Sequence, residues 1–139
     1  MNRVVHFEIH AKDRELIKKF YQDVFGWEMQ QFGADMGNYT VVKTGDPMPK
    51  DMASIGINGG ITERRSDLPK DGAGVNAYVC VIGVENTDDM VKKILAHGGT
   101  IALETMDVPG VGRLAYCKDP EGTIFGVLQP DMSSMSSQK

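Results

Sequence analysis

Hydrophobic and polar residues alternate in two places along the chain, close to the N-terminus and again near its middle. Between Val4 and His10, one face of the predicted strand carries Val5, Phe7 and Ile9, and the other carries His6, Glu8 and His10. The same period of two returns over residues 75–81, with Val75, Ala77, Val79 and Val81 on one face and Asn76, Tyr78 and Cys80 on the other. A period of two is typical of a strand with two unlike faces.

An apolar stripe at helical spacing follows each of these strands. The first comprises Leu16, Ile17, Phe20, Tyr21 and Val24, and the second comprises Met90, Val91, Ile94 and Leu95. Asp13 is predicted to cap the first helix and Gly26 to end it, whereas the second begins at Asn86 or Thr87 and ends at Gly98 and Gly99. Three β-rich segments follow each helix: residues 27–32, 38–43 and 52–58, then residues 100–104, 112–117 and 123–128. A turn is predicted over residues 119–122.

The order β-α-β-β-β therefore occurs twice, and the spacing indicates a true repeat. His6 and Asn76 lie 70 residues apart, Gly26 and Gly98 lie 72 apart, and Gly56 and Gly126 lie 70 apart. We expect an α+β fold in which two tandem units form a curved mixed sheet around a cleft. The units span about residues 3–60 and 74–130 of one domain, 1–131, with a linker at 62–74 and a flexible tail at 132–139. A single ferredoxin-like sheet is the alternative, but it leaves three or four strands unplaced.

Composition narrows the class of protein. Of 139 residues, 15 are basic and 19 acidic, a net charge of −4, so the basic face of a nucleic-acid-binding protein is not expected. No apolar run is long enough to span a membrane, and the chain opens directly on a strand pattern instead of a signal peptide. Cys80 and Cys117 each fall within an apolar run and are predicted to be buried, reduced thiols. These features together predict a cytoplasmic location.

The polar strand faces supply the candidate ligand-binding residues. A sheet with a helix on one side buries its apolar face there, so His6, Glu8, Asn76 and Tyr78 should line the cleft. Tyr39 is a further candidate, and Arg113 could meet an anionic ligand. Trp27 is interpreted as a packed aromatic, and Met106 could form part of a pocket wall.

Three segments carry a family resemblance: the opening HFEI…D…FYQDVFGW, the central GVNAYVCV and the closing YCKDPEGTIFGVLQP. They resemble the vicinal-oxygen-chelate superfamily, which includes glyoxalase I, extradiol dioxygenases and bleomycin-resistance proteins, and within it small glyoxalase-like proteins. The resemblance covers about residues 3 to 130. It implies the paired β-α-β-β-β fold, a small-molecule ligand and a homodimer, but it does not define a reaction, because the superfamily catalyses many.

The resemblance also implies where a family metal would be held. The matching positions are His6, Gly56, Asn76 and Gly126, and only His6 is a strong ligand. Neither glycine offers a side chain, and Ser54 or Asn58 would not restore the site. We therefore expect no metal and no other cofactor, and the alternative is a weak divalent-metal site formed by His6, Glu8 and a residue outside the family positions.

Three functions remain open from the sequence. The first is a metal-independent, small-molecule binding protein of the bleomycin-resistance type. The second is a metal-dependent lyase, isomerase or dioxygenase that uses His6. The third is a metal-free enzyme in which His6 and Glu8 form an acid–base pair, for which histidine is suited near neutral pH.

Overall fold

A computed structural model describes residues 2–46 and 55–131. The chain divides into two compact units, Met1–Asp67 and Leu68–Lys139, and the division falls within the predicted linker segment. Among the described residues, each unit contains one α-helix and one four-stranded mixed sheet, so the predicted fold class and the repeated β-α-β-β-β order are confirmed.

Unit 1 contains β1 (Phe7–Ala11), α1 (Arg14–Phe25), β2 (Glu28–Gln31), a 3-10 turn (Ala34–Met36), β3 (Thr40–Lys43) and β4 (Gly59–Glu63). Its strand order is β1-β4-β3-β2. The β1–β4 pair is parallel, and β4–β3 and β3–β2 are antiparallel. The core lies between α1 and the sheet and includes Ile9, Ala11, Val42 and Ile61.

Unit 2 repeats this plan with β5 (Val81–Gly83), α2 (Thr87–Ala96), β6 (Thr100–Val108), β7 (Gly112–Lys118) and β8 (Ile124–Pro130). The strand order is β5-β8-β7-β6, with a parallel β5–β8 pair. Its core lies beneath α2 and includes Val91, Ile94, Ala115, Cys117, Phe125 and Val127.

The helix boundaries follow the predicted caps. The Asp13 carboxylate accepts the Leu16 N–H at 3.1 Å, and Gly26 ends α1 in the left-handed conformation at φ 73°. Asn86 caps α2 by accepting the Asp89 N–H at 2.9 Å. The stripes are also confirmed, except that Leu16 and Leu95 are exposed. With 12 and 10 residues, α1 and α2 are both too short to cross a membrane.

Both first strands begin later than the alternation predicts, because each first strand starts opposite the beginning of its parallel partner. Phe7 pairs with Gly59, where β4 begins, so residues 4–6 lie before the pairing starts. Val81 pairs with Gly126, only two residues after β8 begins, so this register gives residues 75–78 no strand partner in the described part of the chain. Val5 and Val75 are consequently exposed, and their predicted place beneath the helices is wrong.

The fourth strand of unit 1 also lies later than predicted. Residues 52–54 of the predicted strand are outside the described residues, and residues 55–58 form no strand. The strand is Gly59–Glu63, which overlaps the start of the predicted linker. Gly56 is therefore exposed and lies outside any strand, and its predicted place within the fourth strand is wrong.

The two cysteines differ in environment. Cys117 is fully buried as predicted, and burial raises the pKa of its thiol, which keeps it protonated and unreactive at neutral pH. Cys80 is exposed, contrary to prediction, because it precedes the short β5.

Candidate functional site

One face of the unit 1 sheet lies under α1, and the described residues of unit 1 place no helix on the other face, which we call the open face. Glu8 and His10 of β1 point to the open face, since their neighbours Ile9 and Ala11 are buried. Gly60 pairs with Glu8 and therefore belongs to the same face. Tyr39 lies two residues before Val41, which pairs with Gly60, so it points the same way.

Gly60 allows Tyr39 to reach across the sheet. β4 lies between β1 and β3, so a side chain at position 60 would separate Tyr39 from β1. A Cβ placed on Gly60 would overlap the hydroxyl end of the Tyr39 ring. The tyrosine ring thus passes over Gly60 and reaches His6, which precedes β1, and Glu8 in β1. Glycine inside a strand often marks such a close approach.

The Tyr39 hydroxyl lies between a histidine and a carboxylate. His6 Nε2 lies 2.9 Å from Tyr39 Oη, and Tyr39 Oη donates to Glu8 Oε2 at 3.3 Å. The other carboxylate oxygen of Glu8 lies 3.3 Å from His10 Nε2. A hydroxyl has one proton, so when Tyr39 donates to Glu8, His6 must donate through Nε2. We call His6, Glu8, His10 and Tyr39 the Tyr39 cluster.

The environment keeps Tyr39 protonated at neutral pH. The pKa of Tyr39 is raised above its ordinary value, first by burial, then by the negative charge of Glu8 and by the hydrogen bond to that carboxylate. A neutral phenol can both donate and accept a hydrogen bond. Glu8 remains partly exposed and, as a carboxylate, can accept bonds beyond its two contacts.

This raised pKa predicts a loss of stability at high pH. In the unfolded chain tyrosine titrates at pH ~10, and in the folded chain the pKa of Tyr39 is higher. The contribution of Tyr39 is therefore complete below pH ~10 and is lost as the pH rises through the folded value. Denaturant unfolding of the wild type and Tyr39→Phe across this range should show their stability difference shifting against the wild type. Parallel curves would show that Tyr39 is not perturbed.

The other predicted ligand-binding residues lie in unit 2 and are not part of this cluster. Asn76 and Tyr78 lie outside any strand and are exposed, Tyr78 to 98%. Arg113 donates to both carboxylate oxygens of Asp88, at 3.0 and 3.1 Å, and to Asp107 at 2.9 Å. Its charge is therefore already matched by two carboxylates that tie β7 to α2 and β6.

The open face of unit 2 has a different chemical character, which the sequence interpretation missed. The strand registers place apolar side chains on it: Val81, Leu103, Met106, Leu114, Tyr116 and Leu128. Gly126 lies on the same face, and a Cβ there would approach Tyr116 and Val81 to 3.2 Å. The unit 2 face is thus apolar where the unit 1 face is polar.

The registers also correct the correspondence between the repeats. Asn86 follows Asp13 by 73 residues, and Val81 follows Glu8 by the same number. Glu8 pairs with Gly60 and Val81 pairs with Gly126, so Gly60 instead of Gly56 corresponds to Gly126. Both of these fourth-strand positions lack a side-chain donor. Within residues 2–46 and 55–131, no three His, Cys, Asp or Glu side chains are placed to hold a metal ion.

Sequence reasoning found part of the Tyr39 cluster. It selected His6 and Glu8 and placed His10 on their face, but it gave Tyr39 less weight than Tyr78. The signal that could have identified Tyr39 is Gly60, a glycine inside a strand that the sequence interpretation placed too early.

Two comparisons at sequence level extend these observations. Residues 3–45 match the family model described as bleomycin resistance protein-like N-terminal. The protein named "Putative glyoxylase CFP32" from Mycobacterium bovis is 34% identical over 124 residues, which are 88% of this chain and 42% of the relative. The chain thus spans less than half the length of that relative.

Two solved structures share the fold. The fosfomycin resistance protein FosX of Listeria monocytogenes has a TM-score of 0.70 at 16% identity, covering 100% of this chain and 99% of that one. TnmS3, an antibiotic binding protein from Streptomyces sp. CB03234, has a TM-score of 0.64 at 20% identity, covering 94% and 98%. The chain is therefore similar in sequence to bleomycin-resistance-like and glyoxalase-like proteins, in agreement with the superfamily resemblance of its motifs, and it shares the fold of these two solved structures.

Proposed function

We propose that this protein binds a small organic molecule without a metal ion, at the Tyr39 cluster on the open face of unit 1. The observation that carries this proposal is the phenol of Tyr39, held over Gly60 between His6 and Glu8. Together these side chains present a hydrogen-bond donor, a hydrogen-bond acceptor and an aromatic edge at one place. A few convergent polar groups fix the orientation of the ligand in most small-molecule sites.

Charge favours a neutral or cationic ligand. The chain carries a net charge of −4, and Glu8 makes two long contacts of 3.3 Å that leave acceptor capacity. Arg113, which was predicted to meet an anion, already binds Asp88 and Asp107. A ligand amine or hydroxyl near Glu8 would gain a charge-assisted hydrogen bond, which is about twice as strong as a neutral one.

The relatives support binding of a small molecule. TnmS3 is named as an antibiotic binding protein and FosX as a fosfomycin resistance protein. An antibiotic or a similarly sized metabolite is therefore a reasonable class of ligand. The structural likeness is below 25% identity, so the ligand of this chain is inferred from its own residues.

The metal-independent part of the proposal rests on the donor set. Metal-bound water and Lewis-acid chemistry need several N, O or S ligands that converge on one point. Gly60 and Gly126 supply none, and His6 Nε2 is engaged by Tyr39. His6 and Glu8 both hydrogen-bond to the Tyr39 hydroxyl, so a proton exchanged between them in acid–base catalysis would pass through that hydroxyl.

Metal content tests this part of the proposal. Protein purified without chelator should contain far less than one divalent ion per chain by elemental analysis. Adding zinc, nickel, iron or manganese should leave the His6 ring signals in NMR spectra unchanged. A stoichiometric ion, or saturable binding of one ion at His6, would contradict the proposal and favour a metal-dependent enzyme.

Homodimerisation and a cytoplasmic location are part of the same proposal. We expect light scattering to give twice the 15.2 kDa mass of the chain. A monomeric mass at micromolar concentration would exclude a stable dimer.

A further inference from the structure

The segment that leads into Tyr39 has a defined backbone. Residues 33–38 form one compact turn, in which the Met36 and Asn38 N–H groups both donate to Gly33 O, at 2.9 and 3.0 Å. Asn38 has φ 54° and is the only non-glycine residue with positive φ in the described part of the chain. Asparagine adopts this left-handed conformation more readily than most residues. The conformation directs the chain into β3 with Tyr39 on the open face.

The peptide units on both sides of Tyr39 are held by hydrogen bonds. Arg14 Nη1, from the first turn of α1, donates to Asn38 O at 2.7 Å. On the other side, Phe32 N donates to Tyr39 O at 2.9 Å. The Asn38 carbonyl belongs to the peptide plane that contains the Tyr39 nitrogen, so fixing it constrains the direction in which the tyrosine side chain leaves the backbone.

We propose that Arg14 is a positioning residue for the Tyr39 cluster, holding the Asn38 carbonyl so that Tyr39 lies over Gly60 between His6 and Glu8. A charge-assisted hydrogen bond of this length is among the stronger polar contacts in proteins. Arg14 itself is not among the contacts of Tyr39 Oη, so its role is indirect. The importance of this role for ligand binding rests on the proposed function, but the placement of Tyr39 can be measured without any ligand.

Arg14→Met tests the proposal because methionine keeps an apolar stem and removes the guanidinium. The readout is the set of nuclear Overhauser contacts from the Tyr39 ring to the Gly60 α-protons and the His6 ring. We expect Arg14→Met to lose most of this intensity and to shift the His6 ring signals, and Arg14→Lys to retain part of both. Lys19→Met is the matched control, since it removes another α1 cation whose surface partner is Asp23 at 2.7 Å.

Folding is monitored separately through Trp27, the only tryptophan, which stacks on Tyr21 with centroids 5.3 Å apart. Native Trp27 fluorescence with unchanged Tyr39 contacts in Arg14→Met would overturn the proposal. If Arg14→Met fails to fold, Arg14→Lys decides. Lysine would make a weaker hydrogen bond to Asn38 O, so fully retained contacts of the Tyr39 ring in this variant would also overturn the proposal. Because no ligand is used, failure here is distinguishable from failure of the binding proposal.

Discussion

Replacing Gly59 with alanine is expected to lower the free energy of unfolding by about 3 kcal/mol, at the upper end of the usual cost of overpacking. Gly59 pairs with Phe7 in the parallel β1–β4 ladder. A Cβ at this position would overlap the carbonyl oxygen and the ring of Phe7. Because the obstacle includes backbone, a side-chain rotation cannot relieve it, and β1 must move away from β4. Denaturant unfolding followed by Trp27 fluorescence measures the loss.

Gly56→Ala is the matched control for this substitution. Gly56 precedes β4 and is exposed, and a Cβ added to it would meet no atom of the described residues within 4 Å. Its replacement should change stability by less than ~0.5 kcal/mol, as for most surface substitutions. Equal effects at Gly56 and Gly59 would show that the fourth strand does not begin where the structure places it.

Replacing Gly60 with alanine is expected to dismantle the Tyr39 cluster while leaving unit 1 folded. The new methyl group would meet the far end of the Tyr39 ring, which can rotate away, so the fold itself should lose less than ~1.5 kcal/mol. Tyr39 would then release both His6 and Glu8. For a neutral or cationic fragment that binds beside Glu8, we expect at least a tenfold loss of affinity, which corresponds to about 1.4 kcal/mol.

Tyr39→Phe distinguishes the contribution of the Tyr39 hydroxyl to fragment affinity from that of its ring. It keeps the ring over Gly60 and removes the bonds to His6 and Glu8, so a similar loss of affinity is expected with little change in ring placement. Tyr39 signals that still show contacts to His6 in Gly60→Ala, together with unchanged fragment affinity, would contradict this assignment.

The sequence was sufficient for the helices and for the repeated order of elements, because these depend on local patterns. Asp13 and Asn86 cap their helices through bonds to residues three positions later, and Gly26 ends α1 by its own conformation. The turn at residues 119–122 is also local, since the Asp119 carboxylate accepts the N–H groups of Glu121 and Thr123 at 2.9 and 3.1 Å.

The errors arose where pairing between distant strands decides the outcome. Residues 75–80 alternate as a strand should, but the Val81–Gly126 register leaves most of them without a partner. Conversely, glycine is a poor strand former in isolation, yet Gly59 and Gly60 both lie in β4. At these two positions Phe7 and Tyr39 approach too closely for any side chain. His6 and Glu8 were identified because they alternate within one segment. Tyr39 was underweighted because it reaches them only through the pairing of β1, β4 and β3.

The difference between the two open faces has the same origin. Strand registers bring Leu103, Leu114 and Leu128 together on the open face of unit 2, although they come from three separate strands. Alternation within the single segment 75–81 could not show this, because most of that segment is outside the sheet.

The proposed binding of a small organic molecule beside Glu8 and Tyr39, without a metal ion, can be tested directly. The most direct measurement is an NMR screen of chelator-treated, nitrogen-15-labelled protein against neutral and cationic organic fragments. We predict binders that shift the Glu8 and Tyr39 amide signals. These binders should have at least tenfold lower affinity for Glu8→Gln, which corresponds to about 1.4 kcal/mol. Their affinity for the control Glu28→Gln should be unchanged, since the Glu28 carboxylate only contacts Lys43 at 3.9 Å. Fragments that shift only signals away from this cluster, or that bind only after a divalent ion is added, would contradict the account.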